Sequence, residues 1–427
     1  MKVKMFSSSS QKTGTLAFLD EAIRIKLGRS RFISLFFGIF AVVLMSSLAS
    51  AQIAVKGETV WTMAGEPITN GVVLINNGKI QAVGTESQVS IPANYRVITA
   101  KVVTPGLIDA HTVIGLNGYL NQPHDQMALD GGGSFQPELR AIDAYNAEEK
   151  LVEWVREFGV TTIHTGHQPS ALVSGQTMIA KTTGKNVDEA TIIPTAMIAA
   201  TLGNAANAGQ GRSPGSRSKQ AAMLRAELIK AQEAAKKTEP STDLKTQIMV
   251  RVIKREVPML ITAESAVDIM TAIRIAKEFN IRIVLDGAAD AHMLIDEIKA
   301  SGFPVIVHPT MARPGGDRQN LSLETASKLR AAGILIALQS GYESYVPKTR
   351  VVLFEAAMAA ANGLSKRDAL ASITIDAAKL LGIDNRVGSL AVGKDADLAL
   401  YDGDPFEWTT HCVGTIINGR IVSETVR

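Results

Sequence analysis

Cysteine is all but missing from this chain of 427 residues: Cys412 stands alone. One thiol makes neither an internal disulfide nor a thiolate metal cluster, which excludes disulfide scaffolds and cysteine-based zinc modules. Cys412 lies in the apolar run Cys412-Val413-Gly414-Thr415-Ile416-Ile417 and reads as a buried strand residue. Other signatures are absent too. No nucleophile elbow is apparent, since the one Gly-x-Ser-x-Gly spacing, Gly211 to Gly215, lies within a loop and not at a strand-to-helix turn; nor is a phosphate loop or a dinucleotide fingerprint, so those routes to nucleophilic, phosphoryl or hydride chemistry have no sequence support. No nucleic-acid-binding motif is present. What is present is ordinary globular material, 46% hydrophobic and 20% charged, which sets aside disorder, collagen and coiled coil. The length suits one large domain with a small one beside it.

The excess of positive charge is local. Arg24, Lys26, Arg29 and Arg31 precede an apolar run from Phe32 to Leu48, and Ala49-Ser50-Ala51 follows as a small-x-small cleavage pattern. Residues 1–51 read as a signal peptide, with an uncleaved membrane anchor as the alternative. The formal charge of the whole chain is +3; the leader carries a net +5, which leaves the mature chain near −2. The basic pI therefore argues for no nucleic-acid partner. The expected location is periplasmic or secreted, with Gln52 as the mature start.

From Gln52 onward the two ends of the chain look alike. Val72-Val73-Leu74-Ile75 runs through Asn77-Gly78 into Ile80-Gln81-Ala82-Val83, and 413–417 runs through Asn418-Gly419 into Arg420-Ile421-Val422. Both are hairpin patterns. Between them, strands alternate with helices. Strands are expected at 160–164, 192–196, 259–262, 283–285, 305–308 and 334–338; helices at 220–237, 265–279, 289–301 and 323–332, with Ser265 as an N-cap. Repeated β-then-α units imply parallel strands. With the strand at Val103 the count is seven, so pattern alone leaves both a (β/α)8 barrel and an open doubly wound sheet in play. Two long stretches, 117–145 and 202–219, interrupt the rhythm. They suit loops over an active-site mouth or plain surface insertions.

The most informative stretch is Val102-Val103-Thr104-Pro105-Gly106-Leu107-Ile108-Asp109-Ala110-His111. It reads as a buried strand with Asp109 and His111 on one face at its exit. His111 is a reasonable metal ligand or proton carrier there, unless it simply hydrogen-bonds a neighbour.

Pro105-Gly106-Leu107-Ile108-Asp109-Ala110-His111 resembles the first-strand signature of the amidohydrolase superfamily, in the style of its imidazolonepropionase-like and N-acetylglucosamine-phosphate-deacetylase-like branches. Gly388-Ser389-Leu390-Ala391-Val392-Gly393-Lys394-Asp395-Ala396-Asp397 is similar to the family's return motif. The resemblance implies an α/β fold, a (β/α)8 TIM-like barrel over 105–387, with a small composite β-sandwich from 52–104 and 388–427. It also implies one or two divalent metals, usually zinc, making hydroxide and polarising a carbonyl of a non-peptide amide or cyclic amide. Carried over position by position, the first ligand is His111. The other expected ligand positions are Val113, Thr262, Gly287 and Gly341, none of which supplies imidazole or carboxylate. His111, Asp286 and Glu264 remain as catalytic candidates. His111, His164, His167 and His308 are candidates for a relocated metal site. Ser174 and Gln176, in a turn-like Ser174-Gly175-Gln176, are candidates for substrate contact. His124, His292 and His411 read as surface or satisfied polar groups. Two functions follow: a hydrolase of carbon–nitrogen bonds with a degraded or relocated metal site, or an inactive member of the fold. The latter would bind a small-molecule ligand or support an active relative; a homo-oligomer is an expected alternative to that association.

Overall fold

The computed structural model describes residues 52–209, 211–343 and 349–427. The expected leader lies outside them; Ala51–Arg427 forms one unit. In chain order the strands are β1 (Ile53–Val60), β2 (Ile68–Asn76), β3 (Lys79–Thr85), β4 (Arg96–Pro105), β5 (Leu107–Thr112), β6 (Val160–Thr165), β7 (Val173–Gln176), β8 (Met178–Lys181) and β9 (Thr191–Ile193). They continue with β10 (Ile198–Thr201), β11 (Met259–Ala263), β12 (Ile283–Gly287), β13 (Val305–Val307), β14 (Ile336–Ala337), β15 (Leu398–Tyr401), β16 (Cys412–Ile417) and β17 (Arg420–Ser423). Among the described residues no helix is long and apolar enough to cross a membrane.

Both hairpins expected at the chain ends form. Asn77-Gly78 and Asn418-Gly419 each take positive φ at both central residues, the mirror-image turn that suits the twist of paired strands. The two ends then meet in one seven-stranded sheet, ordered β17-β16-β15-β4-β1-β2-β3. β4 is the join, parallel to β1 and antiparallel to β15. Ile53, Val55, Val73, Ile75, Val103, Leu398, Leu400 and Ile416 share one apolar core, so neither end buries its strands without the other.

The stretch 102–111 is not one strand. β4 ends at Pro105 and β5 begins at Leu107, and Gly106 carries the chain from the composite sheet into the barrel. A Cβ there would stand 2.2 Å from the Thr161 hydroxyl, so only glycine permits the crossing this close.

Strand pairing around the barrel runs β5–β6 in parallel, then β6–β8 and β7–β10 antiparallel, then β10 to β14 all parallel. The Ala110 amide donates to the Leu338 carbonyl at 3.2 Å, the Gly341 amide donates to His111 at 3.3 Å, and Thr112 bridges to Gly341. These contacts bring the segment after β14 back to β5. The segment 173–181 supplies the strand missing from the seven expected. It was illegible because it is antiparallel and carries Ser174-Gly175-Gln176, residues that read as a turn but lie in β7. The strand expected at 192–196 also moves. Pro194 ends β9, which pairs only with β8, and the ring strand is β10.

Helix Ala266–Phe279 forms as expected, with Ser265 accepting from the Asp268 amide and Asn280 closing it in the left-handed region. Helix Ile295–Ser301 begins later than 289, because Gly287 and Ala288 are both left-handed and turn the chain away. Helix Arg217–Ala235 starts earlier than 220, capped by Ser216, and helix Thr325–Ala331 falls inside 323–332. Ile108, Ala110, Ile179, Leu260, Val284, Ile306 and Ala337 pack with Ala377 and Leu381 of helix Ile375–Leu381 in one cluster; the alternate strand residues pack under the surrounding helices in another.

Candidate active site

The ends of β5, β11 and β12 bring three side chains together. His111 and Asp286 are fully buried, and His111 Nδ1 lies 2.8 Å from Asp286 Oδ1. The Thr262 hydroxyl donates to Asp286 Oδ2 at 2.6 Å, and the Gln339 amide donates to Oδ1 at 3.0 Å. With the carboxylate accepting from Nδ1, the lone pair of the imidazole sits on Nε2, and that buried atom has no hydrogen-bond partner. Thr262 occupies an expected ligand position and now holds Asp286 instead. Gln339 was not singled out in the sequence, where an amide near the end of a late strand carries no signal of its own.

Glu264 stands beside this group. Tyr342 donates its hydroxyl to Oε1 at 3.0 Å, and the Ala289 amide donates to Oε2 at 3.2 Å. Burial pushes the Glu264 carboxyl up to about 7, against the pull of Arg318. The Tyr342 ring lies 5.6 Å from that of His111, which places the two groups next to one another. Tyr342 was also missed, since it lies beyond the late strand in an irregular segment.

Asp109 and His111 were expected on one face. Pairing of β5 with β6 is irregular between Asp109 and Thr112, and the two side chains serve different partners. Asp109 accepts from the Ser340 amide at 3.1 Å and from its hydroxyl, and burial pushes its carboxyl up to about 7.

The remaining candidates are committed to other contacts. His164 gives its Nδ1 proton to the Ala110 carbonyl at 2.7 Å, and its Nε2 meets the Thr177 hydroxyl at 2.6 Å. Burial lowers it to about 4, so it is a neutral, satisfied core histidine at neutral pH. Its ring centroid is 6.0 Å from that of His111. His308 is likewise lowered to about 4 by burial, with Nδ1 3.0 Å from the Pro309 carbonyl. His167 packs against Gly175 and is also lowered by burial. Ser174 donates to the Gln168 carbonyl; Gln176 donates to the Pro137 carbonyl and accepts from Thr195. Both are committed to holding loops.

Divalent metal is what the family resemblance implies here. Among the described residues, no three His, Cys, Asp or Glu side chains converge as a ligand set. Val113 is buried in the apolar core, Thr262 is bonded to Asp286, and Gly287 and Gly341 have no side chain. Among the described residues, the donors present do not fit a family-type metal centre.

An α/β barrel joined to a sheet made from both chain ends, with its polar site at the strand ends, defines an amidohydrolase-type barrel. A model of the amidohydrolase family matches residues 348–423. An imidazolonepropionase from Fusobacterium nucleatum is 23% identical over 399 residues, covering 83% of this chain and 91% of that protein. Another, from Brucella anthropi, is 24% identical over 396 residues, covering 83% and 92%. The crystal structure of an amidohydrolase from Thermotoga maritima matches with a TM-score of 0.82 at 27% identity, covering 87% of this chain and 100% of that one. Together these likenesses support the amidohydrolase superfamily, in its imidazolonepropionase-like branch.

Proposed function

We propose that the chain is exported, loses residues 1–51, and hydrolyses a non-peptide carbon–nitrogen bond, in an amide or cyclic amide, with His111 and Asp286 as its base and Glu264 as its acid. The observation that carries this reading is the state of His111: Nδ1 committed to Asp286 and Nε2 without a partner. A carboxylate on Nδ1 fixes the tautomer and stabilises the imidazolium that forms when Nε2 takes a proton. Water that loses its proton to Nε2 attacks the carbonyl carbon. Glu264, which keeps its proton to about pH 7, protonates the departing nitrogen. Ser174 and Gln176 are left out of the substrate contacts, because their polar groups are already bonded.

A second reading rests on burial. His111 and Asp286 are fully enclosed, so a substrate reaches Nε2 only when neighbouring side chains move. A chain that keeps them closed would bind a small molecule, or partner an active relative, without turnover. One experiment separates the two. The mature protein is assayed on a panel of small amides and cyclic amides, beside His111→Ala and Glu264→Gln. Turnover that falls roughly 100-fold or more in His111→Ala supports the hydrolase. Saturable binding with no turnover supports the second reading. Export has its own test: protein recovered from an exporting host should begin at Gln52 by intact mass. Retention of residues 1–51 in the membrane fraction would replace export with anchoring.

A further inference from the structure

We infer that Gly287 and Glu264 are a matched pair that shuts divalent metal out of this site: the Glu264 carboxyl fills the space that a ligand side chain at position 287 would need. A Cβ built on Gly287 stands 2.8 Å from the carboxyl carbon and from both carboxyl oxygens of Glu264. Real side chains do not approach so closely, so any residue but glycine forces Glu264 to move. Glu264 is held against moving by the Tyr342 hydroxyl on one oxygen and the Ala289 amide on the other. The backbone agrees, since Gly287 has φ +73 and Ala288 follows at φ 53, a conformation that side chains resist.

Two of the other expected ligand positions, Thr262 and Gly341, are refilled in the same sense. Thr262 takes one oxygen of Asp286, while His111 and Gln339 share the other. At Gly341, φ is +94 and a Cβ would meet the Pro309 ring at 2.8 Å. At these three positions the chain has therefore not been left with empty space. Protein atoms occupy them, and restoring a single ligand meets a neighbour that has taken its place.

The test uses the full mature chain and reads metal content and Tm, so it stands whether or not the protein turns over an amide. Elemental mass spectrometry of the purified protein should find well under one equivalent of zinc, manganese or iron. Neither chelator nor added zinc should move Tm, because an ion that bound only the folded state would raise it. Gly287→Ala should lower Tm strongly in the wild-type background and by much less in Glu264→Ala, where only the backbone strain remains. Should Gly287→Ala alone fail to fold, recovery of soluble, cooperatively melting protein in the double variant is the expected result. Stoichiometric metal lost to chelator together with Tm would overturn the inference. So would an equal drop from Gly287→Ala in both backgrounds, or no recovery in the double variant while Glu264→Ala alone folds.

Discussion

The barrel buries a polar cluster at each end, and the two are built on different terms. At the foot, Lys181 of β8 meets Asp395 at 3.2 Å and Asp397, the two aspartates that end the return motif. Lys79 and Arg386 complete Asp395 at 2.6 and 2.9 Å, and the Asn418 amide donates to Asp397 at 2.9 Å. Each charge has a counter-charge or a donor. At the mouth, His111 and Asp286 are buried as deeply, but His111 Nε2 and Gln339 Oε1 have no partner. The foot joins the composite sheet to the barrel, and Lys181, Asp395 and Asp397 are all paired there. The mouth carries the unsatisfied atoms that a ligand or a proton would satisfy. Depth of burial alone separates nothing here; what separates the clusters is whether each polar atom has been answered.

The strongest way to break the contrast is to remove one side of the foot. Deleting 388–427 takes away β15 to β17 with both aspartates, and exposes the core shared by Ile53, Val73 and Val103. Insoluble or non-cooperative protein is expected; a soluble fragment with a sharp melt would show that the sheet's two ends are independent. Lys181→Met is subtler. It leaves two buried carboxylates short of a cation and should cost about 3–5 kcal/mol in urea unfolding. A loss near zero would put the foot on the same footing as a surface ion pair.

At the mouth, His111→Ala removes one of three donors to Asp286 and should cost less, on the order of 1–3 kcal/mol, while abolishing any amide turnover. If its stability cost exceeds that of Lys181→Met, His111 is a structural keystone and the contrast is reversed.

The smallest effect is in pH dependence. Glu264 loses its proton near its ordinary value, 4.5, in the unfolded chain and only near 7 in the folded one. Between those values the folded state binds more protons, so this group's stabilising contribution is full at low pH and is lost as pH rises through 7. Glu264→Gln removes that dependence. The variant's stability relative to wild type should therefore improve as pH rises from 4.5 to 7, read as the difference between their urea midpoints. His164 and His308, lowered to about 4, act in the opposite direction between 4 and 6.5 in both proteins, which is why the difference is the readout. A midpoint difference that does not change across the window would place Glu264 in an ordinary solvated state.

How far the fold was legible depended on whether the signal was local. β11, β12 and helix Ala266–Phe279 carry continuous apolar runs and a Ser265 cap, and were read nearly to the residue. β7 and β8 were not, because their pairing to β6 and β10 is what makes 173–181 a strand. Of the candidate residues named from residue type and position, His111, Asp286 and Glu264 lie together in the structure. Tyr342, Gln339 and the positive role of Thr262 were not read from the sequence. A threonine in place of an expected histidine looks like a loss until its partner, 24 residues away in sequence, is seen.

By itself, the sequence determined the family signature at Pro105 to His111, the hairpins at both chain ends, and the alternation of strand and helix. These are facts of residue type and near-neighbour spacing, and short-range sterics and periodicity suffice for them. Only the tertiary structure decided that β4 joins the two chain ends in one sheet and that 173–181 supplies a ring strand. It alone decided that Asp286 accepts from three donors, and that Glu264 fills the space at Gly287. The reason is physical: those outcomes depend on which distant atoms come within about 3 Å of each other, and packing sets that distance while chain order does not.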